Sequence, residues 1–294
     1  MKKNADIHGL RWAAPLNAWL SGGTGTFHLW HANGQPRLTV TDFRRETPVY
    51  AVTPSPDGHW LYSMDTVGMG VWDAASGARH AMHPDTRWAA HLCISPDGRR
   101  LAGICYVHEG VLLCAIDADG TRLVFDHVEW DTELEGIAFS PDGARLHVVH
   151  FGDEGQLILT ERDPSTLERL KESRLIEGGA GALGTFLNDS EDLVFYRRRD
   201  PPGTFDVFAL NGGTRVSQVT IPMSVTGQKV ALSASGRWLV LSTPRGEVER
   251  WDILTARRDG AWLIPEPWAT TRAAVAPEGT VAVALENGQL FLLR

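Results

Sequence analysis

The tetrapeptide SPDG, intact or worn, recurs along the 294-residue chain at intervals of 40 to 47 residues. Intact copies begin at Ser55, Ser95 and Ser140, and altered ones at Ser233 (SASG) and Ala276 (APEG). The flanking pattern adds two more: AAPLNAWL, with Ala14 in the serine place, and FLNDSEDLVF, with Leu187 there. Seven anchors result, at 14, 55, 95, 140, 187, 233 and 276. A period of this size marks a series of supersecondary units. None of them buries its apolar face alone, so neighbours must do it by stacking.

Each anchor separates two short apolar runs. In the second unit, Tyr50, Ala51 and Val52 lead into PSPDG, and Trp60, Leu61 and Tyr62 follow it. Proline presets the first turn angle, aspartate bonds back to the backbone and glycine takes the positive φ, so the pair of runs is a hairpin. A second turn at 65–70 leads to a third run ending in Val71, Trp72 and Asp73, which exits through Ala-Ser-Gly at 75–77. The last unit joins two runs through Asn287-Gly288, a strong hairpin signal. Short strands at regular spacing, with no stretch of period 3.6, predict an all-β fold. Four strands fit in about 42 residues, the length of one propeller blade.

The pattern resembles the WD-repeat β-propeller family. The residues that carry the resemblance are VWDAASG at 71–77 and RWDILTAR at 250–257, with weaker copies HLWHANG at 28–34 and LCAIDADG at 113–120. It covers essentially the whole of 1–294 as a single domain. The Gly-His pair that opens a family repeat is absent from most units; His83 and His127 are read as its remnants, and Asp65 as the buried partner in the second unit. The resemblance implies a seven-bladed β-propeller of four-stranded antiparallel blades. The ring is expected to close by an N-terminal strand, residues about 3–8, that completes the last blade and removes an exposed edge.

Composition is that of an ordinary soluble chain, 43% hydrophobic and 22% charged, and the unbroken repeat argues for one domain. MKKNADIHGL has the lysines of a signal peptide but no apolar stretch after them, and no run is long enough to span a bilayer. Cys93, Cys105 and Cys114 fall in successive strands of one unit without metal-ligand spacing. They read as small buried hydrophobes in a reducing, cytoplasmic setting. A net charge of −8 argues against a general nucleic-acid binder. The one basic run, Arg197-Arg198-Arg199, is read as a solvated loop between the second and third strands of the fifth blade.

No nucleophile elbow, phosphate loop, paired zinc cysteines or HExxH motif occurs. His147 and His150 lie three apart on one strand and so face opposite ways, which denies them a shared metal. Loop residues His108, Glu109 and 150–155 leave open a propeller lactonase or hydrolase with a metal or polar cluster at the central channel, the alternative enzymatic reading. No cofactor or metal is expected on the leading reading.

Eleven tryptophans are the more informative residues. Trp19, Trp60 and Trp238 follow anchor turns and Trp30, Trp72 and Trp251 hold the WD place, so packing accounts for them. Trp12, Trp88, Trp130 and Trp268 lie where the outermost strand of one blade hands over to the innermost strand of the next. By the resemblance, these connections share the face around the channel mouth, the family's usual binding face. Tryptophan there supplies contact area with few rotors; folding inward as a plug between blades is the alternative for each. Trp130 stands among Asp131, Glu133 and neighbouring acids, which suits a Lys- or Arg-bearing peptide. Arg45 and Arg87 on nearby loops make the face charge-mixed. The expectation is a non-catalytic, monomeric binder of a protein or peptide, using neither nucleic acid nor membrane. A bare structural module or engineered scaffold remains a third reading.

Overall fold

The SPDG turns are hydrogen-bonded staples. In the computed structural model, Ser55, Ser95 and Ser140 donate their hydroxyls to Asp57, Asp97 and Asp142 at 2.5, 2.6 and 2.6 Å. Each serine oxygen also accepts the backbone N–H five residues on, from Trp60, Arg100 and Arg145, all at 2.9 Å. Gly58 sits at φ +74°, which a side chain would disfavour, and so lets the chain reverse. The serine hydroxyls favour the charged carboxylates and hold all three aspartates below the usual range. Ser233 keeps the pattern with Ser235 in the aspartate place, 3.0 Å away, and again accepts from the residue five on, Trp238. The local chemistry therefore fixes the first hairpin of these units before packing acts.

The structure describes residues 7–41, 47–49, 51–65, 68–84, 89–105, 110–116, 123–129, 134–177, 182–187, 192–198, 203–221, 229–233, 235–243, 246–264, 270–285 and 288–294. The first sheet is β1 (Ile7–Ala13), β2 (Ala18–Gly23), β3 (Thr26–His31) and β4 (Pro36–Val40). The second is β5 (Ala51–Pro54), β6 (Trp60–Met64), β7 (Gly68–Asp73) and β8 (Arg79–Pro84). In the third stand β9 (Ala89–Ile94), β10 (Arg100–Cys105), β11 (Gly110–Ile116) and β12 (Leu123–Glu129). The fourth comprises β13 (Leu134–Phe139), β14 (Leu146–Phe151), β15 (Leu157–Arg162) and β16 (Arg169–Ile176). The fifth holds β17 (Ala182–Leu187), β18 (Leu193–Arg198), β19 (Thr204–Ala209) and β20 (Thr214–Thr220). The sixth is β21 (Lys229–Leu232), β22 (Trp238–Ser242), β23 (Glu247–Asp252) and β24 (Arg257–Leu263). The seventh is β25 (Thr270–Val275), β26 (Val281–Leu285) and β27 (Leu290–Leu293).

Every sheet is antiparallel with its strands in sequence order, and the architecture is an all-β, seven-bladed β-propeller. Six of the seven anchors directly follow the first strand of a sheet, and the seventh, Leu187, is the last residue of β17. Two compact units are present. One comprises residues 1–86 and 225–294 with sheets one, two, six and seven; the other comprises 87–224 with sheets three, four and five. Within the first unit, Phe27, Leu29, Leu61 and Trp72 form the core between sheets one and two. Val248, Val275 and Val283 do so between six and seven, and Trp12, Trp19, Trp30 and Ala282 between seven and one. In the second unit, Ile104, Val111, Leu146 and Val148 join sheets three and four, and Val149, Leu159, Val194 and Phe208 join four and five. Apolar burial at roughly 25 cal/mol per Å² is what holds such faces together.

The N-terminus differs from the expected arrangement. Ile7 and His8 belong to β1, where Ile7 pairs with Gly23 in the first sheet, so they do not complete the last blade; residues 3–6 lie outside the described residues. The first and last sheets nonetheless pack on each other through the tryptophan cluster. Arg197 and Arg198 also depart from expectation. They end β18, with Arg197 opposite Gly184 and Phe205, because the strand runs further than the charge run suggests; Arg199 is outside the described residues.

Candidate functional site

The described strands bracket the connections in which the expected contact residues stand. Arg45 falls between β4 and β5, Arg87 and Trp88 between β8 and β9, Trp130, Asp131 and Glu133 between β12 and β13, and Trp268 between β24 and β25. All seven lie outside the described residues.

Trp12 is the described member of the set, and its surface role gives way to packing. It is in β1 itself, one residue before the strand ends, and only 7% exposed. Its ring meets that of Trp19 edge-on, with centroids 4.7 Å apart and planes at 72°. The reason is β alternation: Leu10 and Trp12 share the face turned to the seventh sheet, where both join the cluster containing Ala274 and Ala282. The sequence placed Trp12 in a connection because a blade-closing strand over about 3–8 leaves the first strand to begin later, whereas β1 already begins at Ile7.

The tryptophans at the WD place are structural. Trp72 is fully buried and donates its indole N–H to Ser63 Oγ at 2.7 Å; Trp30 does the same to Ser21 at 3.0 Å. Asp65 is buried, 1% exposed, and accepts the backbone N–H of Gly68 at 2.9 Å, a local turn bond. Trp238 is sandwiched by Arg237 and Arg250, whose guanidinium carbons lie 4.5 and 4.9 Å from its ring, and Arg250 also lies 5.6 Å from Trp262. This arginine–tryptophan stack covers the core between sheets six and seven. Sequence reasoning did not find it, because the contact joins residues of different strands and no local motif marks it. Cys93 and Cys114 are buried, in line with the apolar reading; the Cys105 side chain is not described.

His147 and His150 face opposite sides of β14, as their spacing requires. His147 stands opposite Glu161, both nearly inaccessible, and burial lowers its basicity while the Glu161 carboxylate partly offsets this. Arg145 and Lys171 pair with Glu161, the latter at 3.5 Å, and neutralise it. His150 bonds Thr160 Oγ1 through Nε2 at 3.0 Å, and burial lowers its basicity too. Among the described residues, no three His, Cys, Asp or Glu side chains gather closely enough to hold a metal ion. No described helix is long and apolar enough to cross a membrane.

No protein-family model matches the chain. Its fold is similar to that of the Cps50 (Swd1) β-propeller domain of Myceliophteria thermophila, with a TM-score of 0.75 over 100% of this chain and 98% of that one, at 14% identity. It is also similar to a chain of the Mitotic Checkpoint Complex, with a TM-score of 0.67 over 97% of this chain and 88% of that one, again at 14% identity. Identity this low shows the fold alone. The class defined is a seven-bladed β-propeller.

Proposed function

We propose that the chain is a single-domain, non-catalytic propeller of the WD type that binds a protein or peptide through the face carrying its fourth-to-first connections. The observation that carries this reading is the distribution of the tryptophans that packing does not claim. The strand bounds leave Trp88, Trp130 and Trp268 each in such a connection, whereas every described tryptophan has a packing partner or a core position. Aromatic side chains in that setting act as contact anchors. Asp131 and Glu133 beside Trp130 favour a basic segment in the partner, and Arg45 and Arg87 make the surface charge-mixed. A likeness to a chain of a multi-protein complex fits a scaffold, although fold alone does not fix function. The protein is read as cytoplasmic and monomeric, with no role for nucleic acid or membrane.

The test compares pull-downs by the wild-type protein and a Trp88→Ala/Trp130→Ala/Trp268→Ala variant whose thermal melt shows that it folds. A partner retained by the first and lost by the second is the expected result. No partner with either protein would overturn the reading and make a hydrolase and lactonase screen the next step. Loss of folding in the variant would assign these tryptophans to the core.

A further inference from the structure

The dipeptide Asn-Gly stands in two third-to-fourth-strand turns, at 33–34 between β3 and β4 and at 211–212 between β19 and β20. The asparagine of the third such pair, at 287–288, lies outside the described residues. The two described turns hold the same dipeptide differently. We propose that Asn211 is a site of spontaneous deamidation, where the carboxamide converts to aspartate and isoaspartate while Asn33 is spared.

Asparagine is a thermolabile residue, and the reaction draws only on water and hydroxide. The Gly212 backbone nitrogen gives its proton to hydroxide and attacks Asn211 Cγ. The new bond closes a succinimide ring. The bond from Cγ to the side-chain nitrogen breaks, and that nitrogen takes a proton from water and leaves as ammonia. One further water opens the ring. Addition at Cγ restores the ordinary backbone and gives aspartate. Addition at the main-chain carbonyl gives isoaspartate, in which the backbone runs through Cγ. The sum is asparagine plus water yielding a carboxylic acid plus ammonia.

Backbone hydrogen bonding decides whether the glycine nitrogen can react. An N–H that donates to a carbonyl is fixed in place and keeps its proton, so it attacks poorly. Gly34 N–H donates to the His31 carbonyl at 2.8 Å. The Asp-Gly pairs of the SPDG turns offer the same ring closure, and they too are pinned. Gly58, Gly98 and Gly143 donate to the carbonyls of Ser55, Ser95 and Ser140 at 3.0, 2.8 and 2.8 Å. Their aspartates are also held in the charged form by the serine hydroxyls, and a carboxylate is a poor electrophile. In the 209–213 turn it is Gly213 that donates to the Ala209 carbonyl, at 3.1 Å. Among the described residues, Gly212 N–H has no backbone acceptor.

Access differs in the same direction. Asn33 Oδ1 accepts the Gln35 N–H at 3.1 Å, and a Cβ placed on Gly34 would lie 3.0 Å from Leu292, so that turn is braced on the seventh sheet. Asn211 is exposed, and a Cβ placed on Gly212 would meet nothing within 4 Å. Water and hydroxide therefore reach the Gly212 nitrogen unobstructed.

The place of the turn gives the modification a consequence. Leu210, 1% exposed, belongs to the core between sheets four and five. A Cβ on Gly213 would lie 3.1 Å from Ser173 and from Leu175, so this end of the turn rests on β16. Asn211 and Gly212 thus bridge two anchored points. Isoaspartate adds a methylene to the main chain between them, which loosens sheet five from sheet four because close-packed contacts tolerate little displacement. Aspartate leaves the backbone as it was and adds only a charge.

The test holds the full chain at mildly alkaline pH and physiological temperature and follows its proteolytic peptides by mass spectrometry. The peptide containing Asn211 should gain the mass of deamidation several times faster than the one containing Asn33, with isoaspartate exceeding aspartate. In a digest incubated the same way, both sites should react at closely similar rates, since neither turn then exists. Asn211→Gln, whose ring would be larger and slower to close, should abolish the modification at this position. The isoaspartate fraction, separated by ion exchange, should melt below fresh protein, whereas Asn211→Asp should melt with it. Equal rates for the two sites in the folded chain overturn the proposal, as does an Asn211 that stays intact there while it reacts in the digest. So does a rate difference that the digest preserves, since sequence rather than fold would then set it. An isoaspartate fraction that melts as fresh protein does overturns the coupling to sheet four.

Discussion

The second and sixth sheets carry the same spacing and reach different ends. In each, a tryptophan in the third strand follows a serine in the second by nine residues: Trp72 after Ser63, Trp251 after Ser242. Trp72 bonds Ser63 across the sheet. Trp251 instead gives its indole N–H to Glu249 Oε2 at 2.9 Å, and Ser242 Oγ is buried with no partner among the described residues. Trp251 has a carboxylate two residues away on its own face, whereas Gly70 holds that place beside Trp72. A carboxylate is the stronger acceptor, so the indole turns to it. Gly70 also makes room: a Cβ there would come within 2.6 Å of the Trp72 indole nitrogen. The shared motif is thus a structural network in one blade and a surface ion cluster in the other, where Arg258 joins Glu249 at 2.8 Å.

The largest effect should come from emptying the two tryptophan sites. Trp72→Ala should cost about 3–5 kcal/mol, the range for a large aromatic lost from a core. Trp251→Ala should cost clearly less, because its polar edge already reaches a half-exposed carboxylate; equal losses in chemical denaturation would break the comparison. Next in size, Ser63→Ala leaves a buried indole N–H without an acceptor and should destabilise by about 1–3 kcal/mol. Ser242→Ala, which deletes a hydroxyl that bonds nothing described, should fall within about 0.5 kcal/mol of wild type or improve on it. A loss in Ser242→Ala as large as in Ser63→Ala would mean that Trp251 does bond Ser242 in solution.

A double-mutant cycle sharpens the point. Glu249→Ala frees the Trp251 indole to turn toward Ser242, so Ser242→Ala should cost more in that background than alone, with a coupling of about 0.5 kcal/mol or above. Additive behaviour would count against the competition. The smallest effect expected is that of mild acid. His28, His147 and His150 have their basicity lowered by burial, so the unfolded chain binds more protons than the folded one as pH drops. Stability is full above the ordinary imidazole range and declines as pH falls through it. The aspartates of the SPDG turns, shifted low, keep their contribution over the same window and lose it only in stronger acid. Melting temperatures measured from about pH 7.5 to 5.5 should therefore fall in the wild type and fall less in His147→Phe. The difference between Trp72→Ala and Trp251→Ala should persist across that range, since neither tryptophan titrates.

Legibility followed the range of the forces involved. The anchor hairpins were plain in the sequence because serine, proline, aspartate and glycine act within five residues: Ser55 finds Asp57 and Trp60 without help from any other strand. Strand order followed from the same punctuation. Trp12 was not legible, since its burial depends on the Ala274 and Ala282 face of the seventh sheet, more than 250 residues away in sequence. Arg250 likewise stood in the sequence only as part of the WD-like run RWDILTAR, whereas its guanidinium lies against Trp238 and Trp262 and bonds the Gly279 carbonyl. The connection residues Trp88, Trp130 and Trp268 remain a reading of position and residue type.

By itself, then, the sequence determined the number of blades, the place of each first hairpin and the alternation that turns His147 from His150. These depend on local turn chemistry and on the two-residue period of a strand. Only the tertiary structure decided which tryptophans are core and which indole meets serine or carboxylate. Those outcomes depend on which neighbouring face arrives, and a neighbour from a distant blade leaves no mark in the local sequence.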